Sequence, residues 1–249
     1  MTRSVTDGAH RPLTTWFDRP SPLAGPDRRA FMKAGALGVA IGPASAGALA
    51  QTSRAELDSY QPIFFAAAEW AFILAACARL IPSEGEGPGA LEAHVPIFLD
   101  RDLAGPYGRG EDWHMGGPHD PNAPEALGFQ SPLTPAQLFR ASIAEVDAMC
   151  ARAFGSPFAG LDAARQETTL KFLEAGKPGL RPELRDFFSM LWRNVREGYF
   201  SDPRHGGNRG MMAWRHIGFP GARGAFREWA DQHDREYPLG PVSIAGERS

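Results

Sequence analysis

His114 and His119 stand five residues apart with Asp112 and Asp120 beside them, and four such side chains in one polar stretch have the types and spacing of a metal site. The same stretch also reads as a solvated loop anchored by Trp113, and that reading is the favoured one because histidine and aspartate often recur in polar loops by chance. The two cysteines, Cys77 and Cys150, are too few for an all-cysteine zinc or iron–sulfur centre or for a disulfide-dense scaffold. Other patterns that carry chemistry are missing. There is no Gly-x-Gly-x-x-Gly opening a helix, since Pro88 interrupts the glycines at 85, 87 and 89. Nor is there a phosphate-binding loop, a Cys-x-x-Cys-His, a His-Glu-x-x-His or a Gly-x-Ser-x-Gly. The chain is therefore expected to bring no cofactor of its own.

The elements that would position these residues are helices. In the apolar run from 63 to 81, Phe65, Glu69, Phe72, Ile73, Ala76, Cys77 and Leu80 recur at helical spacing, and Pro82 ends it. Glu69 and Arg79 inside that run argue for a buried helix rather than a membrane span, because each charge costs about 2.5–3.5 kcal/mol near a bilayer centre. A short helix is expected over 90–103, then a long Gly/Pro-rich loop over 105–132 anchored by Trp113 and Phe129, of a length that suits wrapping a partner. Thr134-Pro135-Ala136-Gln137 is a capping box with proline at the first helical position and predicts a helix to about Phe154, with Phe139, Ile143, Val146 and Cys150 on its apolar stripe. Asp162 caps a further helix to about Glu174, and Pro182 opens another with Leu184, Phe187, Phe188, Leu191, Trp192, Val195 and Tyr199 on its apolar face. A last short helix is expected near 225–232. No alternating run reads as a strand, so the class is mainly α, an irregular helical domain with long Gly/Pro-rich loops.

Composition sets outer bounds. The 249 residues are 43% hydrophobic and 22% charged, ordinary globular values, while Gly 28 and Pro 22 together make about a fifth of the chain. A formal charge of −3 supplies no basic field for a phosphate backbone, which excludes nucleic acid as an expected partner.

The first fifty residues read as an address. Asp27-Arg28-Arg29-Ala30-Phe31-Met32-Lys33, followed by a weakly apolar Gly/Ala run broken at Pro43, resembles a bacterial twin-arginine export signal carried by Arg28, Arg29, Phe31 and Lys33. Asp27 stands where that signal commonly has a small hydroxylated residue. Ala48-Leu49-Ala50 supplies a small-x-small cleavage site, which predicts a signal over 1–50 and one helical domain over 51–249. The rival is a basic tail that is never cleaved. Removing 1–50 leaves 20 basic and 26 acidic residues, a net charge of −6. The resemblance implies a cargo that folds, commonly around a cofactor, before it crosses the membrane. A chain without a cofactor motif behind such a signal suggests that the cofactor belongs to a passenger polypeptide.

A C-terminal block carries a more specific resemblance. Gly198-Tyr199-Phe200-Ser201-Asp202-Pro203-Arg204-His205-Gly206-Gly207-Asn208, then Trp214 and Ile217-Gly218-Phe219-Pro220-Gly221, resembles the signature of the gluconate 2-dehydrogenase subunit 3 family. Leu80-Ile81-Pro82 leading to Gly87-Pro88-Gly89-Ala90, and Thr134-Pro135, are similar to the family as well, so the likeness covers about 65–221. His205 stands where a tyrosine is common. The resemblance implies a non-catalytic small subunit of a periplasmic sugar or polyol dehydrogenase of gluconate, glucose, fructose or sorbitol type. It implies that FAD, with an iron–sulfur cluster in some members, sits in a large flavoprotein subunit of the glucose-methanol-choline type. A multihaem cytochrome c subunit would hold the complex at the inner membrane, and the twin-arginine translocase would export flavoprotein and small subunit together. Gly198, Tyr199, Phe200, Asp202, Pro203, Gly206, Gly207, Asn208, Trp214, Gly218, Pro220 and Gly221 are then a structural loop, a partner surface, or both. Three states of the cysteines stay open: buried free thiols, an internal Cys77–Cys150 bridge, and an intersubunit disulfide, for which the resemblance and its place near a helix end favour Cys150. The alternative to an escort subunit is a free-standing exported metal-binding protein or enzyme using the His114/His119 loop.

Overall fold

A computed structural model describes residues 52–83, 87–120, 122–177, 180–233, 235 and 237–249. The twin-arginine residues Arg28, Arg29, Phe31 and Lys33 and the cleavage site lie outside the described residues. The architecture is mainly helical, as expected, and among the described residues no strand forms beyond isolated bridges.

A helical segment over 52–59 precedes α1 (Ala67–Leu80), the central helix, which packs against most of the others. The apolar run begins at 63, yet the helix begins four residues later. The reason is Asp100, fully buried on α2 (Val95–Ala104). Its carboxylate accepts from the amides of Ile63 (2.8 Å), Phe64 (2.9 Å) and Phe65 (3.0 Å) and from the Tyr60 hydroxyl (2.9 Å), which holds 60–65 as a tight bend rather than a helical turn. Glu69 then accepts from the Ala66 amide and starts α1. α2 also starts later than periodicity suggests, because His94 takes a left-handed conformation (φ 57°) and breaks the helix before Val95.

The stretch over 105–132 is irregular but ordered by its aromatic side chains. The single turn α3 (Pro106–Arg109) places Tyr107 against Trp113, and Trp113 lies edge-to-face on Phe129 at 4.7 Å, so the two expected anchors meet each other. α4 (Pro135–Phe154) opens on the expected reciprocal cap, with the Thr134 amide donating to Gln137 (2.9 Å) and the Gln137 amide donating back to the Thr134 hydroxyl, and it closes on left-handed Gly155. α5 (Ala163–Glu174) is capped by Asp162. Pro182 opens only a 3-10 turn, Pro182–Leu184, and the long helix α6 (Phe187–Phe200) starts after it. α7 (Met212–Ile217) follows; the helix expected near 225–232 is a 3-10 turn, Arg227–Trp229. Phe72 of α1, Phe139 of α4 and Phe187 of α6 meet at the centre with Phe158, and the core they anchor runs from Leu57 to Ala213. No helix among the described residues is long and apolar enough to cross a membrane.

Candidate functional site

The block over 198–221 is built on one close approach. Gly198, in the last turn of α6, faces Phe98 of α2; a Cβ there would lie 2.6 Å from the Phe98 ring, so only glycine lets the two helices close. Gly207 then lays its backbone on the Gly198 carbonyl, where an added Cβ would come within 2.1 Å of that oxygen. Tyr199 is buried, and its hydroxyl donates to the Pro88 carbonyl at 2.6 Å, tying the end of α6 to the Gly87-Pro88-Gly89 loop. Burial and the nearby Glu92 charge hold that phenol above its ordinary range, so it stays protonated as a donor.

After α6 the chain turns through Pro203–His205, and Asp202 caps that turn by accepting from the Arg204 amide. The other oxygen of the same buried carboxylate accepts from the Ile244 amide at 2.6 Å and draws the C-terminal tail over the block. Asn208, fully buried with φ 45°, closes the loop from inside: its amide donates to the Ser201 carbonyl and its oxygen accepts from the Ala213 amide, each at 2.9 Å. Trp214 is buried and donates its indole N–H to the Phe200 carbonyl at 2.8 Å. Left-handed Gly218 ends α7, Pro220 accepts from the Val242 amide, and left-handed Gly221 pairs with Val242, where a Cβ would meet backbone. Gly206, also left-handed, sits against Arg101 and Ile97 of α2.

A second polar knot joins the block to the helical segment over 52–59. Glu56 lies 3.0 Å from His94 Nε2 and pairs with Arg209, whose guanidinium also donates to Ser53; the Arg209 amide donates to the Ala93 carbonyl. His94, Asn208 and Met211 are the three non-glycine residues with left-handed backbone among the described residues, and these contacts bring His94 to the loop that holds the other two. Burial pushes the His94 imidazole below its ordinary range, and Arg209 acts in the same direction against Glu56. Neither this knot nor Asp100 was visible in sequence, because glutamate, histidine and aspartate at such separations form no local pattern.

The arrangement is a scaffold rather than a reaction centre. Asp202, Asn208, Tyr199 and Trp214 spend their polar atoms on backbone groups, and their rings and stems face inward. What the block turns outward is apolar and basic: Phe200, Ile217 and Phe219 are 36%, 48% and 44% exposed, and Arg204 and Arg215 of the same block are exposed as well. A cleft of about 530 Å³ opens next to α7 between Arg209, Met211, Met212, Arg215 and the tail at Glu247.

Residues 67–221 match the family model of gluconate 2-dehydrogenase subunit 3. The chain belongs to this family. No curated protein and no solved structure matches it. The subunit 3 match starts at the first residue of α1 and ends at Gly221, so it includes the central helix and the whole signature block. The family is that of the third subunit of a dehydrogenase complex, and the chain is accordingly assigned to such a complex as an accessory subunit. Its other candidate residues lie apart from the block. His114 is exposed, while His119 lines a cleft with Leu133, Arg181 and Glu183, and among the described residues no group of three His, Cys, Asp or Glu side chains comes together as a metal cage. Cys77 and Cys150 are both free and fully buried. No bridge joins the two cysteines; burial raises both thiols, that of Cys150 to about 11 despite its contact with Thr169, and leaves the Cys150 side chain without exposed surface.

Proposed function

We propose that this chain is the non-catalytic small subunit of a membrane-associated, FAD-dependent sugar or polyol dehydrogenase, and that it escorts the flavoprotein large subunit through the twin-arginine route and stabilises it. The observation that carries the reading is the subunit 3 match over 67–221 lying behind Arg28-Arg29-Ala30-Phe31-Met32-Lys33 in one chain. In this reading FAD, and in some complexes an iron–sulfur cluster, are held by the large subunit, a protein of the glucose-methanol-choline type, and a multihaem cytochrome c subunit takes the electrons to membrane quinone. The substrate is a gluconate-, glucose-, fructose- or sorbitol-type polyol and touches the large subunit only. The outward residues of the signature block suit such an escort, because an apolar surface on an acidic, exported chain needs a partner to cover it.

The test is fractionation of cells that express the full chain together with a glucose-methanol-choline-type flavoprotein from the same genome. With Arg28→Lys and Arg29→Lys combined, the flavoprotein and its dye-linked dehydrogenase activity are expected to stay in the cytoplasm. Periplasmic activity equal to that of the unaltered chain defeats the escort reading.

A further inference from the structure

Phe200, Ile217 and Phe219 are each tied to the buried Trp214. The Trp214 indole donates to the Phe200 carbonyl and lies edge-to-face on Phe219 at 5.1 Å, and Ile217 follows Trp214 by three residues on α7, which places both on one face of the helix. Three large exposed apolar side chains arranged around one buried indole are the kind of grouping that a partner covers. Ile63 and Leu127, 69% and 66% exposed, are the contrast, since each lies in a different loop.

Charge points to what covers this grouping. Between 200 and 227 the chain holds five arginines and one carboxylate, whereas the rest of 51–249 holds 15 basic and 25 acidic residues. The one carboxylate, Asp202, is buried and spent on two amides. Arg209 is held by Glu56, and Arg223 donates to the Gly240 carbonyl. Arg204 and Arg215 are exposed and make no ion pair among the described residues. An acidic chain thus concentrates positive charge in the segment that carries these exposed apolar residues, and the cleft next to α7, lined by Arg209, Met211, Met212, Arg215 and Glu247, can receive a projecting side chain.

Resting on the subunit reading above, we propose that Phe200, Ile217 and Phe219 with Arg204 and Arg215 are the docking surface for the large subunit, and that the complementary surface on that subunit is an apolar hollow bordered by carboxylates. Charge complementarity of this kind steers association and fixes orientation, while the central aromatic and aliphatic side chains supply most of the affinity.

The experiment uses the full chain, affinity-tagged and co-expressed with the flavoprotein, and reads the amount of flavin retained per small subunit after washing. Ile217→Asp with Phe219→Asp is expected to lower capture by about 30-fold or more, while Leu127→Asp leaves it within about twofold. Arg204→Glu with Arg215→Glu, which disturbs no packed side chain, is expected to lower capture at low salt and to flatten its salt dependence, and this pair decides the matter if the apolar variant does not fold. Full capture by the folded Asp variant or by the Glu variant overturns this surface and leaves the subunit reading intact. Variants that lose only self-association, or only binding to vesicles containing anionic phospholipid, also overturn it. Failure of the unaltered chain to retain flavin overturns the subunit reading together with the surface.

Discussion

Asp100 offers the most direct test of how this fold is held. Its carboxylate sits with no exposed surface and accepts four hydrogen bonds, three from successive amides of 63–65 and one from Tyr60. Asp100→Asn keeps shape and volume but leaves one acceptor oxygen where there were two. That oxygen can serve two of the four donors; the new amide group turns its own donors toward the other two. A hydrogen bond to a charged acceptor contributes about 1.5–3 kcal/mol, so two lost bonds amount to about 3–6 kcal/mol, partly offset because a charge no longer has to be buried. A net loss of about 3 kcal/mol is a large share of the roughly 5–15 kcal/mol that holds a domain together. Urea unfolding followed by circular dichroism at 222 nm, with a slope of about 2 kcal/mol/M, then moves its midpoint down by about 1.5 M. Tyr60→Phe, which removes one donor and leaves the carboxylate with three, is expected to cost only about 0.5–1.5 kcal/mol. If the Asp100→Asn midpoint stays within about 0.2 M of the parent, the carboxylate is not what shapes the start of α1.

Three further outcomes follow from the same geometry. Gly207→Ala drives a Cβ to within 2.1 Å of the Gly198 carbonyl oxygen, a backbone atom that cannot step aside, and is expected to cost about 3 kcal/mol by thermal unfolding, whereas Gly224→Ala, with open space around it, should be nearly neutral. His94 is held below its ordinary pKa of 6.5 in the folded chain, so as the pH falls through about 6.5 the unfolded chain takes up the proton first and stability is lost on acidification; the melting temperature should fall between pH 7.5 and 5.5, with a shallower slope in His94→Asn, which tolerates φ 57°. With the Cys150 thiol near 11, about one molecule in a thousand is thiolate at pH 8, and Cys77 is raised by burial as well, so an aromatic disulfide reagent should label neither thiol in the native chain on the timescale of minutes and both at once in urea; rapid native labelling of one would show that it reaches solvent.

What could be read from sequence was what local chemistry decides. Thr134 with Gln137, Asp162, and Pro82 after Ile81 mark helix ends through atoms within four residues of each other, and α1, α4 and α5 end or begin where those residues place them. The errors have distant causes. The late start of α1 depends on Asp100, 35 residues or more from the amides it binds, and the late start of α2 on a left-handed His94 that Glu56 and Arg209 surround. The 52–59 helical segment, which no periodicity announced, is held by Leu57 in the core and by Ser53 and Glu56 on the knot. In the signature block the glycines could be read as tolerant of unusual backbone, yet Gly198 and Gly207 have ordinary backbone conformations. They are needed for space, which depends on where Phe98 of another helix lies.

That distinction separates recognition of the family from contact with a partner. Six residues of the block, Gly198, Tyr199, Asp202, Gly207, Asn208 and Trp214, are buried, so their part in the block is that of a scaffold. The scaffold in turn sets what is exposed: Gly198 on Phe98 fixes the end of α6, Gly207 and Asn208 fix the return of the chain, and Trp214 fixes the height at which Ile217 and Phe219 stand above the surface. Substitutions in the two sets should therefore part in their readouts. Gly207→Ala is expected to lower unfolding stability and flavoprotein capture together, because it moves the platform. Ile217→Asp is expected to lower capture while leaving the unfolding midpoint within about 0.5 kcal/mol, as for a surface position outside the packed core. A loss of stability from Ile217→Asp comparable to that from Gly207→Ala would mean that the exposed residues are part of the platform itself, and that the docking surface lies elsewhere on the chain.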